Sequence, residues 1–175
     1  GLELFVKKNK GKFTGWVSYT ISRSERQVDG INNDDWYPNR FDRLHNLSVV
    51  NSYELNKKWS FSANFVYSTG TPATFPTNRY EIQGIVLPHN VDNSRNNYRI
   101  PAYHRLDISA TLTPKKNENR RWKGEWVFSV YNVYSRRNPF AIFFEQNSDD
   151  PLVTEAIRFS VIGNFVPAVS YNFNF

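Results

Sequence analysis

The chain has 175 residues, 22 Lys and Arg against 16 Asp and Glu, a net charge of +6, no cysteine and a mean hydropathy of -0.61. No apolar run approaches the roughly 20 residues of a spanning helix, which excludes a helical membrane protein but not a β-barrel, whose lumen face dilutes the hydropathy of its lipid face. The lack of cysteine excludes structural disulfides and thiolate metal sites.

The first residues, Gly-Leu-Glu-Leu, show no basic or apolar leader, so an exported form is expected to carry its signal upstream or to have lost it. Leu2 to Lys8 reads as a short strand closed by Asn9-Lys10-Gly11. A second strand is predicted from Phe13 to about Arg26, with Phe13, Val17, Tyr19 and Ile21 on one face and Thr14, Ser18, Thr20 and Ser22 on the other. The polar stretch 27–41, rich in Asn, Asp, Gly and Pro, is a loop. Arg43 to Leu55 is the third strand, and Asn56-Lys57-Lys58 turns it into a fourth, where Trp59, Phe61, Ala63, Phe65 and Tyr67 alternate with Ser60, Ser62, Asn64 and Ser68. An irregular stretch follows from about 70 to 101. His104 to Pro114 sets Leu106, Ile108, Ala110 and Leu112 against Arg105, Asp107, Ser109, Thr111 and Thr113. A basic turn leads to a sixth strand, Glu125 to about Glu145, and a short acidic loop near Asn147 to Pro151 precedes the last.

That final segment, Ile157 to Phe175, alternates almost throughout, with Phe159, Val161, Phe165, Val169, Tyr171, Phe173 and Phe175 on one side and Arg158, Ser160, Asn164, Ser170 and Asn172 on the other. A half-buried strand of a soluble sheet runs about five or six residues, whereas an outer-membrane strand needs about 9–11 to cross and often extends further. The odd residues are expected to face lipid and the even ones the lumen.

The connections alternate short and long, the pattern of periplasmic turns and extracellular loops in outer-membrane barrels. The turns at Asn9, Asn56 and Asn117 are thereby placed on the periplasmic side with Phe175, and 27–41, 70–101 and 147–154 outside. Trp16, Tyr53, Trp59, Trp126 and Tyr171 then gather near the periplasmic interface, where an aromatic girdle belongs. Eleven of the 22 Lys and Arg fall in three short segments, 7–12, 57–58 and 115–123, each joining two alternating runs, a distribution of solvated turn ends rather than of a phosphate-tracking stripe, so nucleic acid is not an expected partner. Seven strands cannot close a single-chain bacterial barrel, which uses an even number, and unpaired edges in lipid cost several kcal/mol per backbone group. The expectation is an all-β, antiparallel transmembrane β-barrel segment of about seven strands whose remaining strands lie upstream.

The stretches YSTGTPATFP, RIPAYHRLDISATL, SVYNVYSRRNPFAIFF and FVPAVSYNFNF resemble, in this order, the carboxyl-terminal barrel of TonB-dependent outer-membrane receptors of Bacteroidetes-type bacteria. The resemblance covers essentially the whole chain and implies that residues 1–175 are the last part of a barrel of about 22 strands. It further implies an amino-terminal plug and a TonB box, neither within this chain, and energised uptake of a scarce nutrient across the outer membrane of a Gram-negative bacterium. The implied partners are outer-membrane lipid, the rest of the barrel and its plug, the TonB complex through that plug, and the barrel-assembly machinery. Tyr171, Phe173 and Phe175 are the implied assembly signal, presented as a strand edge for β-augmentation.

Candidate chemistry is sparse. His45, His89 and His104 lack the i, i+4 spacing of a metal pair, and His45 and His104 read as interfacial packing near the outer ends of neighbouring strands. The acidic run Asp29 to Asp35 lacks the regular alternation and closing Glu of a calcium loop. No cofactor or metal site is expected. Arg105 and Asp107, on one strand face, must point to the lumen, because a charge on the lipid face would cost about 2–4 kcal/mol at midplane. No nucleophile elbow or Ser, His and acid set stands out, so catalysis is not expected. The competing readings are a small outer-membrane barrel enzyme or adhesin acting through the 70–101 loop and, more remotely, a soluble β-sandwich module. Within an uptake receptor the candidate substrate contacts are the outer-loop residues Trp36, Tyr37, Arg79, Tyr80, Arg95 and Tyr98, since aromatic and Arg side chains combine contact area with hydrogen bonding; ordinary packing of loop on loop is the competing account of them.

Overall fold

The computed structural model describes residues 1–90, 93–114, 123–147, 149–150 and 153–174. In chain order its strands are Leu2–Lys8 (β1), Phe13–Ile21 (β2), Glu25–Arg26 (β3), Tyr37–Pro38 (β4), His45–Glu54 (β5), Trp59–Ser68 (β6), Pro72–Ala73 (β7), Asn78–Ile82 (β8), Ile85–His89 (β9), Tyr98–Arg99 (β10), Tyr103–Leu112 (β11), Lys123–Tyr131 (β12), Ala141–Gln146 (β13), Thr154–Phe159 (β14) and Val166–Asn174 (β15). Among the described residues there is no α-helix.

Seven of these strands form one antiparallel sheet in the order β1-β2-β5-β6-β11-β12-β15, a meander in sequence order. β1 leads to β2, β5 to β6 and β11 to β12 at one end of the sheet, and β2 leads to β5, β6 to β11 and β12 to β15 at the other. The tight turn at 56 is held by the Asn56 side chain, whose Oδ1 accepts from the amides of Lys58 at 2.8 Å and Trp59 at 3.0 Å. That bond mimics a backbone turn and explains why Asn opens the connection. The sheet does not close: β1 and β15 are its two edges, with no neighbouring strand on their outer sides among the described residues.

Register gives the sheet two distinct faces. On one, Phe13 stands opposite Tyr53, Tyr53 opposite Phe61, Phe61 opposite Ala110, Ala110 opposite Phe128, and Phe128 opposite Val169. Nearer the short turns, Trp59, Leu112, Trp126 and Tyr171 form a second cross-strand row, and the Trp126 and Tyr171 rings lie 4.8 Å apart. On the other face Ser52, Ser62, Ser109 and Ser129 stand opposite one another in succession. Alternation of apolar and polar residues in every long strand thus adds up to one apolar and one polar surface. Several residues depart from the pattern, among them Phe5, Val50, Val66 and Val127 on the polar face. Asn51 sits on the apolar face opposite Ala63, and Trp16, expected in the interfacial girdle, sits on the polar face with its ring 6.0 Å from Phe5.

Among the described residues no second layer covers the apolar face. The buried apolar side chains among the described residues are Tyr37 and Val86, both in long connections, while Val169 is 62% and Leu4 55% exposed. A water-soluble domain stabilises a sheet by packing its apolar face against another layer; this sheet has no such core of its own.

Three expected strands are broken where polar side chains intercept the backbone. The second ends at Ile21, because the Ser24 amide donates to Asp42 Oδ1 at 2.7 Å and Glu25–Arg26 pairs with Tyr37–Pro38 instead. The sixth ends at Tyr131, where Asn132 takes the left-handed conformation at φ 55, and Ala141–Gln146 leaves the sheet to pair with Thr154–Phe159. The final alternating run is two strands: the Asn164 carbonyl accepts from Asn132 Nδ2 at 3.3 Å and the Phe165 amide donates to Ser135 Oγ at 3.2 Å, so the chain bends before Val166. Arg158 and Phe159 therefore belong to a loop hairpin rather than to the sheet. His45 and His104 are also not on adjacent strands, since β6 runs between β5 and β11.

Candidate functional site

The three long connections are folded, not slack. They carry the hairpins β3–β4, β7–β10, β8–β9 and β13–β14, which the sequence pattern does not announce. Asp42, 2% exposed, is the anchor between the first two connections: its carboxylate accepts from the Ser24 amide and pairs with Arg99 at 2.5 Å. Arg99 Nη1 donates to the carbonyls of Asp42 at 3.0 Å and Gly70 at 2.8 Å, so both members of this ion pair have further hydrogen-bond partners. A buried carboxylate is tolerated only with that degree of matching. Gly70 is required beside it, because a Cβ there would collide with the Ile100 carbonyl.

Asparagines complete the bracing. Asn32 bonds Arg95 twice, with Oδ1 accepting from the Arg95 amide at 2.5 Å and Nδ2 donating to its carbonyl at 3.0 Å, a side-chain imitation of a β-pair. Asn96 Nδ2 donates to the Pro38 carbonyl at 2.8 Å while its amide donates to Thr74 Oγ1 at 3.0 Å. Phe75 joins the third connection: it stacks on Tyr98 with ring centres 4.2 Å apart and meets the Phe144 edge at 4.7 Å.

A second polar cluster ties the start of β11 to the end of β12, beside the long connections. Arg105 pairs with Asp107 at 3.0 Å, donates to the hydroxyls of Tyr131 at 2.6 Å and Tyr103 at 3.0 Å, and lies 4.1 Å over the Tyr131 ring. Asp107 Oδ1 accepts from the Asn132 amide at 2.9 Å. Asn132, 1% exposed, closes the 132–136 turn by accepting from the Arg136 amide and donating to the Arg136 carbonyl, each at 3.1 Å. Asn138 bonds the His104 backbone in both directions, at 3.0 and 2.9 Å. This is the work done by the residues of the stretches around 101–112 and 129–144: they hold loops to strand ends.

Between the connections lies a cavity of about 720 Å³. Arg26, Arg40, Arg43 and Arg95 line it, and Phe41, Phe75, Phe140 and Phe144 supply apolar wall. No Asp or Glu lines it, and none of the four guanidinium groups has an ion pair among the described residues.

Of the contact residues read from the sequence, Arg95 lines the cavity and Tyr98 stacks on its wall residue Phe75. Trp36 is 65% exposed at the loop surface. Tyr37 is buried beneath Arg26, which lies 5.3 Å over its ring, so it supports the site rather than presenting a surface. Arg79 and Tyr80 stand on the separate β8–β9 hairpin, where Tyr80 meets His89 at 5.3 Å. The structure does not bring these six together. Sequence reasoning passed over Arg26, Arg40, Arg43, Asp42 and Asn132; residues 23–43 carry Glu25, Asp29, Asp34, Asp35 and Asp42 beside their four Arg, so composition gave no signal that Arg26, Arg40 and Arg43 would lack acidic partners. Tyr171 and Phe173 lie on the exposed apolar face of β15, and Phe175 falls outside the described residues.

The histidines have ordinary partners. His45 Nδ1 meets the Tyr19 hydroxyl at 2.9 Å, and His104 Nδ1 meets the Tyr134 hydroxyl at 2.8 Å. Desolvation pushes the Tyr134 phenol up, against the opposing pull of Arg136, so it stays protonated in neutral solution. In the acidic run, Asp34 Oδ1 accepts from the Gly30 amide at 2.6 Å, closing its own loop.

No family model matches this chain, and no curated protein or solved structure matches it.

Proposed function

We propose that the chain is a section of wall and outer loops from an outer-membrane β-barrel, and specifically from a TonB-dependent receptor for energised uptake of a scarce nutrient. The observation that carries the reading is the sidedness of the seven-stranded sheet: one face is apolar from β1 to β15 and uncovered, with Leu4 55% and Val169 62% exposed. Such a face is stable against lipid and costly in water. The opposite face is rich in Ser, Asn and the Arg105–Asp107 pair, as a lumen wall is. Short turns at one end and braced loops at the other match the periplasmic and external ends of such a barrel. The open edges β1 and β15 fit a section that other strands complete. The transport step rests on the resemblance of the four stretches, with the plug and TonB box supplied by chain beyond this section.

The test is fractionation of the full-length protein in a Gram-negative host. It should sediment with the outer membrane, resist alkaline carbonate extraction and migrate anomalously on gels unless boiled. Uptake of its nutrient should stop when the proton-motive force is collapsed. Release by carbonate would overturn the membrane assignment, and uptake insensitive to an uncoupler would overturn the energised mechanism alone.

A further inference from the structure

We propose that the cavity between the long connections binds a soluble oxyanion, a phosphate or carboxylate, carried on an aromatic or other apolar body. The proposal rests on the reading of these connections as the outward, ligand-facing end of the wall, and it specifies the class of ligand.

The arginines in and beside the long connections divide into two groups, those committed to structural partners and those without them. Arg99 is fully committed to structure, with a carboxylate and two carbonyls as partners. Arg105 is likewise committed, to Asp107 and two tyrosines. Arg23 has Glu25. Arg26, Arg40, Arg43 and Arg95 have no carboxylate partner among the described residues, and all four line one concavity of about 720 Å³. Four like charges around a cavity repel one another, and concave walls of low dielectric strengthen their joint field toward an incoming anion. The planar guanidinium fork fits carboxylate and phosphate oxygens in pairs.

The remaining wall sets the rest of the ligand. Phe41, Phe75, Phe140 and Phe144 give the cavity apolar surface that inorganic phosphate would leave unused. Arg beside aromatic rings is the composition of a binding hot spot. The site is also preformed: Asn32 fixes the backbone of Arg95, Asp42 fixes the segment between Arg40 and Arg43, and Phe75 and Phe144 hold each other edge to face. Little ordering remains to be done when a ligand enters.

The same chemistry could come from a soluble molecule or from an anionic lipid headgroup, and we assign the soluble source, because the aromatic wall lies within the cavity alongside the arginines rather than on the apolar face of the sheet. The experiment is calorimetric titration of the full-length protein in neutral detergent with phenyl phosphate, with phenyl β-glucoside as the uncharged control, and with mixed micelles of phosphatidylglycerol. Wild-type protein should bind phenyl phosphate, bind the glucoside at least about tenfold more weakly, and show no saturable heat with the lipid. The Arg40→Gln/Arg43→Gln variant should bind phenyl phosphate about tenfold or more weakly with a reduced dependence on salt. Arg95→Gln, whose backbone clamp to Asn32 is retained, should weaken binding in the same direction and carries the test should the double variant fail to reach the membrane. Binding unchanged in these variants, or binding of the lipid alone, would overturn the proposal. All variants are first checked for outer-membrane fractionation and heat-modifiable migration: correct assembly without anion binding rejects the ligand class only, whereas failure of the wild type to fractionate with the membrane rejects the barrel reading beneath it.

Discussion

The Tyr171 ring lies across Gly124 on the neighbouring strand, so close that a Cβ on Gly124 would collide with the phenol. Tyr171 also stands directly opposite Trp126. The last two strands are therefore joined by an aromatic side chain laid over a buried glycine, a device that covers exposed backbone and pins register between β12 and β15.

Gly124→Ala should destabilise the full-length protein by about 1–3 kcal/mol through overpacking against that ring. Tyr171→Ala should also destabilise, and the double variant should cost less than the sum, because the clash disappears with the ring. Urea unfolding in phospholipid bilayers measures all three. Additive effects would mean the two residues do not share this contact.

Opposite faces of one strand should respond differently to charge. Ile108 lies on the apolar face opposite Ala63 and Val130, and Ser109 on the polar face opposite Ser62 and Ser129. Ile108→Arg is expected to cost about 2–4 kcal/mol in the same bilayer assay, and Ser109→Arg under about 1 kcal/mol. Equal penalties would contradict the assignment of faces.

The turn after β12 depends on one buried amide. Asn132→Asp removes the donor that serves two carbonyls, at 3.1 and 3.3 Å, and sets a carboxylate beside them, which should destabilise by about 2–4 kcal/mol. Asn132→Gly keeps the left-handed backbone and loses only the side-chain bonds, so it should cost less, about 1–3 kcal/mol. Thermal unfolding gives the order, and limited proteolysis should show cleavage near 132–138 rising first in the Asp variant.

Open edges have a consequence for the section by itself. Residues 1–175 expressed alone should collect in inclusion bodies and yield no heat-modifiable compact monomer in detergent, because the outer sides of β1 and β15 have no neighbouring strand among the described residues. Recovery of a protease-resistant monomer from the outer membrane would favour a small independent barrel.

The sheet was legible in the sequence because its strands have one apolar and one polar face, and a period of two survives in the residue order. All seven strands and the short turn at Asn56 follow from that period. The breaks were not legible. Ser160 to Phe165 alternates as well as its neighbours do, yet Asn132 and Ser135, distant in sequence, bond its backbone and bend it away. Trp16 occupies the polar face because register, not side-chain character, decides which way a residue points. The Arg-lined cavity needs three connections to meet, and the asparagine and Asp42 bonds that bring them together join residues separated by up to 63 positions. No local pattern encodes such a meeting.

The most direct measurement of the central claim is single-cysteine spin labelling, to which residues 1–175 contribute no competing thiol. Nitroxides placed in turn from 166 to 173 on β15 and from 107 to 111 on β11 of the full-length membrane-embedded protein report collision with oxygen, which partitions into lipid, and with a water-soluble nickel chelate. Oxygen access should peak at positions 108, 110, 169 and 171 and chelate access at 107, 109, 168 and 170, in strict alternation. Chelate access at every position, or oxygen access peaking on the serine face, would contradict the placement of this sheet as a lipid-facing wall.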